Sequence, residues 1–359
     1  MEFGLLMLGD NLANPVTGDR RTPAERHRQI IELAVRASDR GIDVISLGEH
    51  RFSYRGDGQE YVLTSPHIAL AAIAERTETT TLGTGVTLLP NHDPVSLVQD
   101  FSTLDLISGG RAELVLGNGI YGDVYRQMGQ DPSKAREMQA EKLDLLLRLW
   151  HETGVSWEGE FRPPLDNVTI EPRPLQLTAP VWLGGGRSDA SVRLAAEHGL
   201  PLQFPGVLRP GTFFKDLAKL YRELWVEEGH DPADCRVAHC SHIFVRPDGH
   251  AARDLFEPHH VGYLEWVFET IHQRGDFVLD PSAKAPNRYQ AYEDPINAPT
   301  LCGTPGEAVE RILGWNDLLG GIDRYSFVID AGGQSHEMIE ETLDHLIEDV
   351  LPAIRAEVG

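Results

Sequence analysis

The feature that most constrains the fold of this chain is a regular alternation of short apolar runs with helical patterns. Eight runs have the length and composition of buried strands, and helix-like segments separate them. Such alternation is typical of β–α units repeated around a parallel sheet. It predicts an α/β protein with a (β/α)8 TIM-barrel fold in one domain, residues 1–359, and an open doubly wound sheet is the alternative. The predicted strands are Phe3–Leu8, Val44–Leu47, Thr81–Leu88, Ala112–Leu116, Val181–Leu183, Leu202–Phe204, Arg236–Val245 and Arg324–Ile329.

Several helix starts are marked by a capping residue followed by proline at the first helical position. A cap side chain accepts a backbone N–H that the helix leaves unpaired, and proline has no N–H to lose there. Glu25 and Glu307 each stand three residues after a threonine cap and complete a capping box. The five predicted starts are Thr22-Pro23, Ser65-Pro66, Asp93-Pro94, Asp131-Pro132 and Thr304-Pro305.

Two stretches interrupt the alternation. Residues Trp157–Pro174 are rich in proline and turn formers, which predicts a hairpin or a loop excursion. Phe256–Pro299, after the seventh predicted strand, mixes aromatic residues, proline and charge. Long insertions in compact domains are often lids or binding loops, so we expect Phe256–Pro299 to cover the active site of a bulky or apolar substrate, although its aromatics would equally pack it onto the barrel.

Composition limits the partners. The formal net charge is −23, which repels nucleic acids and anionic membrane surfaces. The three cysteines have no CxxC spacing, and the start of the chain lacks the pattern of a signal peptide. These features predict a cytoplasmic protein with reduced thiols and neither a nucleic acid nor a membrane as partner.

Polar residues cluster directly after the predicted strands, where barrels of parallel strands carry their chemistry. Glu49-His50-Arg51 follows the second strand, and His92 follows the third. The fourth strand is followed by GNGIYG, which contains Asn118 and Tyr121, and the fifth by GGGRS. A histidine with a neighbouring carboxylate can transfer protons near neutral pH.

The two glycine-rich segments and the histidines admit competing interpretations. The segment LGGGRSDAS would suit a phosphate, because it offers backbone N–H groups at a helix start together with Arg187, Ser188 and Ser191. The alternative is an ordinary β–α turn that binds nothing. GNGIYG matches GxGxxG but follows three earlier β–α units, so it is a weak dinucleotide signal. The His239–His242 and His259-His260 groups lack the HExxH spacing, and we expect no metal site.

An ordered series of segments resembles the luciferase-like flavin-dependent monooxygenases, the group that includes bacterial luciferase. The similar segments are GEHRF, LGTGVTLLPNHDPV, TLDLISGGRAELVLGNGIYGDVYRQMG, EPRPLQLTAPVWLGGG and SVRLAAEHGLPL, with a looser match in CGTPGEAVERI. The resemblance implies a TIM barrel that binds reduced FMN and reacts it with dioxygen. It further implies that a flavin hydroperoxide would oxidise the substrate.

The resemblance also implies roles for individual residues. His50 would be the catalytic histidine beside the flavin ring, and Glu49 its supporting acid. Gly85-Val86 falls where the family often has a non-prolyl cis peptide bond against the ring. The predicted phosphate and cofactor contacts are Asn118, Arg136, Gly185, Gly186, Arg187, Ser188 and Ser191. Apart from the resemblance, the residues that follow the strands give Arg51, His92 and Tyr121 as candidate substrate contacts.

Two residues differ from the family pattern. Arg51 stands where the family has a second histidine, and Asn118 stands where many relatives have an arginine that contacts the phosphate. A deazaflavin-dependent dehydrogenase or reductase and a noncatalytic flavin-binding protein therefore remain alternatives. The leading hypothesis adds a separate NAD(P)H:flavin reductase that supplies reduced FMN, and family habit suggests a homodimer.

Overall fold

The computed structural model describes residues 1–52, 58–185, 188–274 and 284–358. Two predicted cofactor contacts, Gly186 and Arg187, lie outside these residues, as does part of the predicted insertion, 275–283. All statements below concern the described residues.

Eight parallel strands close into a barrel, which confirms the predicted fold class. The strand order is β10-β12-β1-β2-β3-β5-β8-β9, and pairing of β9 with β10 closes the ring, so the open sheet is excluded. The described strands are β1 Glu2–Met7, β2 Val44–Leu47, β3 Thr81–Thr84, β4 Thr87–Leu88, β5 Ala112–Gly117, β6 Val155–Trp157, β7 Leu165–Val168, β8 Val181–Gly184, β9 Leu202–Phe204, β10 Val237–Val245, β11 Leu301–Gly303 and β12 Arg324–Val328.

Helices surround the barrel, and several begin where the sequence predicts. Thr22 and Thr304 form complete capping boxes, whereas Asp131-Pro132 opens a 3-10 turn, Pro132–Lys134, that leads into a helix at Ala135. The α-helices are α1 Pro23–Asp39, α2 Pro66–Ala74, α3 Pro94–Ser108, α4 Gly122–Gln127, α5 Ala135–His151, α6 Asp189–Glu197, α7 Gly211–Glu227, α8 Gly249–Arg274, α9 Pro305–Leu318, α10 His336–His345 and α11 Leu351–Val358. No helix in the described part of the chain is long and apolar enough to cross a membrane.

Three elements differ from the predictions. The predicted strand Thr81–Leu88 is two strands, because a cis peptide bond between Gly85 and Val86 interrupts it. The first residue of the predicted insertion, Phe256, lies inside α8, a helix of 26 residues that contains Pro258. A further strand, β11, was missed, and it pairs with β10 at the barrel exterior. The predicted hairpin is confirmed as β6 and β7.

Alternation along β10 separates the barrel interior from the layer between strands and helices. Ala238 packs with interior residues of β5 and β8, and Cys240 packs with Leu6 of β1. Ile243 and Val245 instead pack in the main cluster beneath the outer helices. Residues of even number on β10 therefore point into the barrel, as expected for a strand with a period of two residues.

Candidate functional site

Most predicted site residues follow four neighbouring strands of the barrel. Strands β2, β3, β5 and β8 are consecutive in the ring and parallel, so their carboxyl ends lie at one side of the same rim. That rim is where ligands bind in barrels of this kind. The order of strands therefore brings Glu49, His50, Gly85, Asn118 and Gly185 to one wall of the barrel mouth, which we call the β2–β8 wall.

Glu49 is the buried acid that joins the ends of β2 and β4. Its Oε2 accepts the backbone N–H of Leu88 at 3.0 Å and lies 2.9 Å from Nε2 of His92. Burial raises the pKa of the Glu49 carboxyl, but the His92 hydrogen bond and the charge of Arg51 outweigh it and hold this pKa below its ordinary value. Glu49 is therefore a fixed negative charge at neutral pH.

Arg51 and His92 contact Glu49, which gives both of them a positioning role. Nε of Arg51 donates to Oε1 of Glu49 at 2.5 Å, and Nη2 of Arg51 lies 3.0 Å from Nε2 of His92. The Arg51 side chain is 23% exposed and that of His92 is 15% exposed. The guanidinium thus compensates a buried carboxylate, a function that a second histidine would perform less completely at neutral pH.

His50 is held as a neutral imidazole with a defined acceptor atom. Its ring stacks on Tyr61 with the centroids 3.9 Å apart, and its backbone N–H donates to the carbonyl of Leu63. Burial lowers the pKa of His50 to about 4, although a hydrogen bond to the Leu8 carbonyl opposes the shift. Nδ1 is buried and has no partner among the described residues, so Nε2 carries the proton and Nδ1 offers a lone pair.

The cis peptide bond of Gly85-Val86 follows β3, the strand that pairs with β2. The Gly85 N–H donates to the carbonyl of Leu47 at 2.8 Å, which joins the two strand ends below His50. A Cβ on Gly117 would lie 2.8 Å from the Val86 side chain, and one on Gly184 would lie 2.6 Å from it. Glycines on β5 and β8 therefore make room for the Val86 side chain.

Asn118 and Tyr121 follow β5. Oδ1 of Asn118 is buried without a partner among the described residues, while its carbonyl accepts the Tyr125 hydroxyl at 2.7 Å. Tyr121 is buried, and the guanidinium of Arg274 lies 4.3 Å from its ring centroid. Nη2 of Arg274 also pairs with Asp123 at 3.2 Å, so the end of α8 is fixed to the start of α4.

The predicted phosphate contacts are only partly brought together. Ser188 caps α6 without using its side chain, and Ser191 Oγ donates to the Ser188 carbonyl at 3.1 Å. A Cβ on Gly185 would lie 2.6 Å from Ser191 Oγ, so this turn requires glycine. Arg136 is exposed in the first turn of α5, and no described contact links it to α6.

The sequence did not show which residues of β10 and α8 form the wall that faces the β2–β8 wall. Tyr263 and Trp266 of α8 are buried at the mouth, and the ring of Trp266 lies 5.2 Å from that of Tyr61. His242 of β10 and His260 of α8 are fully buried, with ring centroids 4.7 Å apart. The period-two alternation of β10 would have placed His242 inside the barrel, but the sequence does not show which side of a long helix covers it.

The residues of the β2–β8 wall fit a flavin. The unpaired Nδ1 of His50 and Oδ1 of Asn118 are buried polar atoms that a flat ligand with donors and acceptors would satisfy. The turn before α6 adds backbone N–H groups at a helix start, which suits a phosphate. No group of three or more His, Cys, Asp and Glu residues suited to a metal ion occurs in the described ranges.

Comparisons with known proteins identify relatives that are named as flavin-dependent enzymes. The sequence is 31% identical to 4-hydroxyprotoasukamycin monooxygenase of Streptomyces nodosus subsp. asukaensis over 59% of this chain and 58% of that protein, so this match spans little more than half the relative's length. It is 24% identical to the oxygenase component of flavin-dependent trigonelline monooxygenase from Acinetobacter baylyi (strain ATCC 33305 / BD413 / ADP1), over 93% of this chain and 92% of that one.

Two solved structures share the fold along nearly the whole chain. The oxygenating constituent of 3,6-diketocamphane monooxygenase from Pseudomonas putida, in complex with FMN, has a TM-score of 0.79 and 20% identity, with 99% of each chain covered. An F420-dependent secondary alcohol dehydrogenase has a TM-score of 0.75 and 19% identity, also with 99% of each chain covered.

The model of the luciferase-like monooxygenases matches residues 1–320. This match covers most of the chain, including every strand of the barrel except β12. The chain therefore belongs to the luciferase-like monooxygenase family.

Proposed function

We propose that this protein is an FMN-dependent monooxygenase that oxidises a small organic substrate with reduced flavin and dioxygen. The observation that carries the proposal is His50, a neutral imidazole at the mouth of a closed barrel, whose buried Nδ1 has no partner among the described residues. Relatives named as flavin-dependent monooxygenases support it. When bound, reduced FMN would supply the electrons that activate dioxygen.

The residues of the β2–β8 wall would hold this cofactor in the following way. Gly85 and Val86 would support the flat ring, and Asn118 would hydrogen-bond to it through Oδ1. Gly185, Gly186, Arg187, Ser188 and Ser191 would receive the phosphate at the start of α6, and Arg136 would add positive charge. Tyr121 would line the substrate side of the mouth.

His50 and Glu49 have different tasks in this proposal. Nδ1 of His50 accepts a proton beside the ring, because its pKa keeps the imidazole neutral at the pH of the cell. Glu49 is a positioning residue: its contacts with Leu88, Arg51 and His92 fix the strand ends between which His50 stands. Burial of Glu49 and of the Nδ1 atom of His50 keeps bulk water from competing for the same hydrogen bonds.

Anaerobic titration with reduced FMN tests the proposal. We expect saturable binding, followed on exposure to dioxygen by a transient absorbance that free reduced FMN does not give. His50→Ala should bind reduced FMN within a fewfold of the native protein but shorten the life of the transient species. Glu223→Gln, at an exposed carboxylate on α7, is the control and should leave the life of the transient species unchanged. If the native protein does not bind reduced FMN, the proposal is wrong.

A deazaflavin-dependent dehydrogenase or reductase is the second candidate function. Asn118 stands where an arginine would contact the FMN phosphate, and one structural neighbour is an F420-dependent dehydrogenase. Comparing the affinities for reduced FMN and reduced F420 decides between the two. A noncatalytic flavin-binding protein would bind flavin, yet its flavin oxidation would not change in His50→Ala.

Three further parts of the proposal concern partners and location. A separate NAD(P)H:flavin reductase would deliver reduced FMN, since one relative is named as an oxygenase component. The enzyme would act as a homodimer in the cytoplasm. Adding a purified flavin reductase with NADH should start turnover, and light scattering measures the mass of the assembly.

A further inference from the structure

The barrel mouth has a second polar site opposite the β2–β8 wall. In the closed ring of eight strands, β10 lies four positions from β3, so His242 faces the strand that leads into Gly85-Val86. In register, His242 pairs with Val328, the last residue of β12, which places it near the same rim as His50. A ligand that lies against the β2–β8 wall therefore has His242, and with it the neighbouring His260, across the barrel from it.

Unpaired nitrogen atoms at this second site indicate a missing hydrogen-bonding partner. Both ring nitrogens of His242 and Nε2 of His260 are buried without a partner in the described chain. Nδ1 of His260 lies 3.2 Å from the hydroxyl of Tyr292. A buried nitrogen that has lost water without gaining a partner is costly, so a bound group that satisfies these nitrogens gains affinity.

Aromatic rings connect this site to His50. Centroid distances are 3.9 Å from His50 to Tyr61, 5.2 Å from Tyr61 to Trp266 and 6.1 Å from Trp266 to Tyr263. Tyr263 lies 5.3 Å from His242. Such a continuous lining of rings favours a flat aromatic ligand, because offset and edge contacts between rings add to the burial of apolar area.

The charge of the site selects a neutral ligand. Burial lowers the pKa of His242 to about 3 and that of His260 well below its ordinary value, so both imidazoles are neutral at pH 7. A neutral imidazole presents one N–H donor and one acceptor. A hydroxyl group on an aromatic ring both donates and accepts, and it matches this pair better than a carboxylate, which only accepts and would be a buried, unpaired anion.

We propose that His242 and His260 form a subsite for the hydroxyl of a neutral hydroxyarene substrate. Its ring lies along Tyr263, Trp266 and Tyr61, between the histidine pair and the wall that holds the flavin. This inference rests on the proposed function for the reaction, but the binding of the hydroxyl does not require the flavin. The two imidazoles are specificity-determining residues, since they orient the ring.

His239 provides a matched control on the same strand. It is also fully buried, both its nitrogens are unpaired among the described residues, and burial lowers its pKa to about 3. Its ring, however, lies 5.2 Å from Trp315 of α9, on the helix side of β10. Unpaired nitrogens are therefore common to His239 and His242. What distinguishes His242 is that its side chain points into the barrel.

The experiment compares two probes of equal shape, 2-naphthol and 2-methylnaphthalene, by fluorescence titration. The native protein should bind 2-naphthol about tenfold more tightly, as expected for one or two neutral hydrogen bonds. His242→Phe and His260→Phe should bring the ratio of the two affinities close to one. His242→Gln, which retains a donor and an acceptor, should keep part of the preference for 2-naphthol. His239→Phe should leave this preference unchanged.

Thermal melting shows that each variant is folded, and reduced FMN titration is run on all of them. A ratio near one in the native protein, whether through equal binding or through no binding, overturns the subsite, and so does a ratio that persists in both phenylalanine variants. Native protein that prefers 2-naphthol but does not bind reduced FMN refutes the proposed function and leaves the subsite intact. Native protein that binds reduced FMN but does not prefer 2-naphthol refutes the subsite and leaves the proposed function intact.

Discussion

At the scale of single residues, the charge state of His50 is the property that is easiest to measure. Its pKa is about 4, so we expect NMR of the ring carbon Cε1 to show no titration between about pH 5.5 and 8 and a midpoint near 4. A His50 midpoint near 6.5 would contradict the neutral imidazole on which the proposed proton transfer depends.

The same shift of the His50 pKa has a consequence for stability. The folded pKa lies below the unfolded value of 6.5, so the unfolded chain takes up the proton first as the pH falls. The contribution of His50 is therefore complete above pH 6.5 and is lost as the pH falls toward 4. Urea unfolding of His50→Gln should depend less steeply on pH in this window than that of the native protein, whereas an unchanged slope would count against burial of the ring.

Glu49 makes a prediction in a lower range of pH. Its folded pKa is below the ordinary value of 4.5, so its contribution to stability is present above pH 4.5 and is lost as the pH falls below it. Glu49→Gln should lower the free energy of unfolding by about 3 kcal/mol at pH 7, because Arg51 loses its buried partner. Glu223→Gln, at an exposed carboxylate 3.7 Å from Lys219, should change it by less than about 0.5 kcal/mol. If urea unfolding gave the same loss of free energy of unfolding for Glu49→Gln and Glu223→Gln, this account would be contradicted.

Residue types at strand ends could be predicted from sequence, whereas their partners could not. Glu49 and His50 were identified because they directly follow a buried strand. The contact between Glu49 and His92 joins positions 43 residues apart and depends on the turn after β4, which no local pattern encodes. The cis peptide at Gly85-Val86 was expected only from the family resemblance, and the structure contains it.

At the scale of elements, the two caps of α1 and α2 allow a matched test. The Thr22 side chain accepts the N–H of Glu25, whereas Ser65 caps α2 without a side-chain hydrogen bond. Thr22→Ala should therefore reduce the free energy of unfolding by about 1 kcal/mol, and Ser65→Ala by clearly less. Thermal or urea unfolding of both variants measures the difference, and a larger loss for Ser65→Ala would contradict the assignment of the caps.

Helix starts could be predicted because they are encoded within four residues. Helix α8 was partly missed because packing onto the barrel stabilises it, and a local pattern does not show this packing. Pro258 and the many aromatic residues suggested an irregular insertion. In the structure, Phe256 stacks on Phe244 of β10 with the centroids 4.6 Å apart, and His260 and Tyr263 pack inward on His242. Packing of this face onto the barrel outweighs the cost of a proline within the helix.

At the scale of the whole molecule, the sequence predicted the number and order of strands but not what fills the barrel floor. Glu113 of β5 and Arg324 of β12 lie on opposite sides of the ring and pair across its interior, with Nη2 of Arg324 2.9 Å from Oε2 of Glu113. The Trp182 side chain donates to Oε2 of Glu113 at 2.9 Å, and the guanidinium lies 4.4 Å from the Trp182 ring. Such a contact depends on barrel closure, which local patterns do not specify.

This interior pair predicts strong coupling between distant strands. Arg324→Met leaves the buried Glu113 carboxylate without its cation and should cost about 3–5 kcal/mol in free energy of unfolding. In Glu113→Gln with Arg324→Met the unpaired charge is gone, while a glutamine oxygen still accepts from Trp182. The double variant should therefore be more stable than the sum of the single effects by about 1–3 kcal/mol, measured by urea unfolding.

An exposed pair gives the control for this double-mutant cycle. Arg40 and Glu348 also join distant parts of the chain, at 3.0 Å, but the Glu348 side chain is 69% exposed. Water screens that pair, so its coupling energy should be below about 1 kcal/mol. If the Glu113–Arg324 cycle is additive within about 0.5 kcal/mol, the pair does not tie the two sides of the barrel energetically, and closure depends on the backbone ladder and the apolar layers alone.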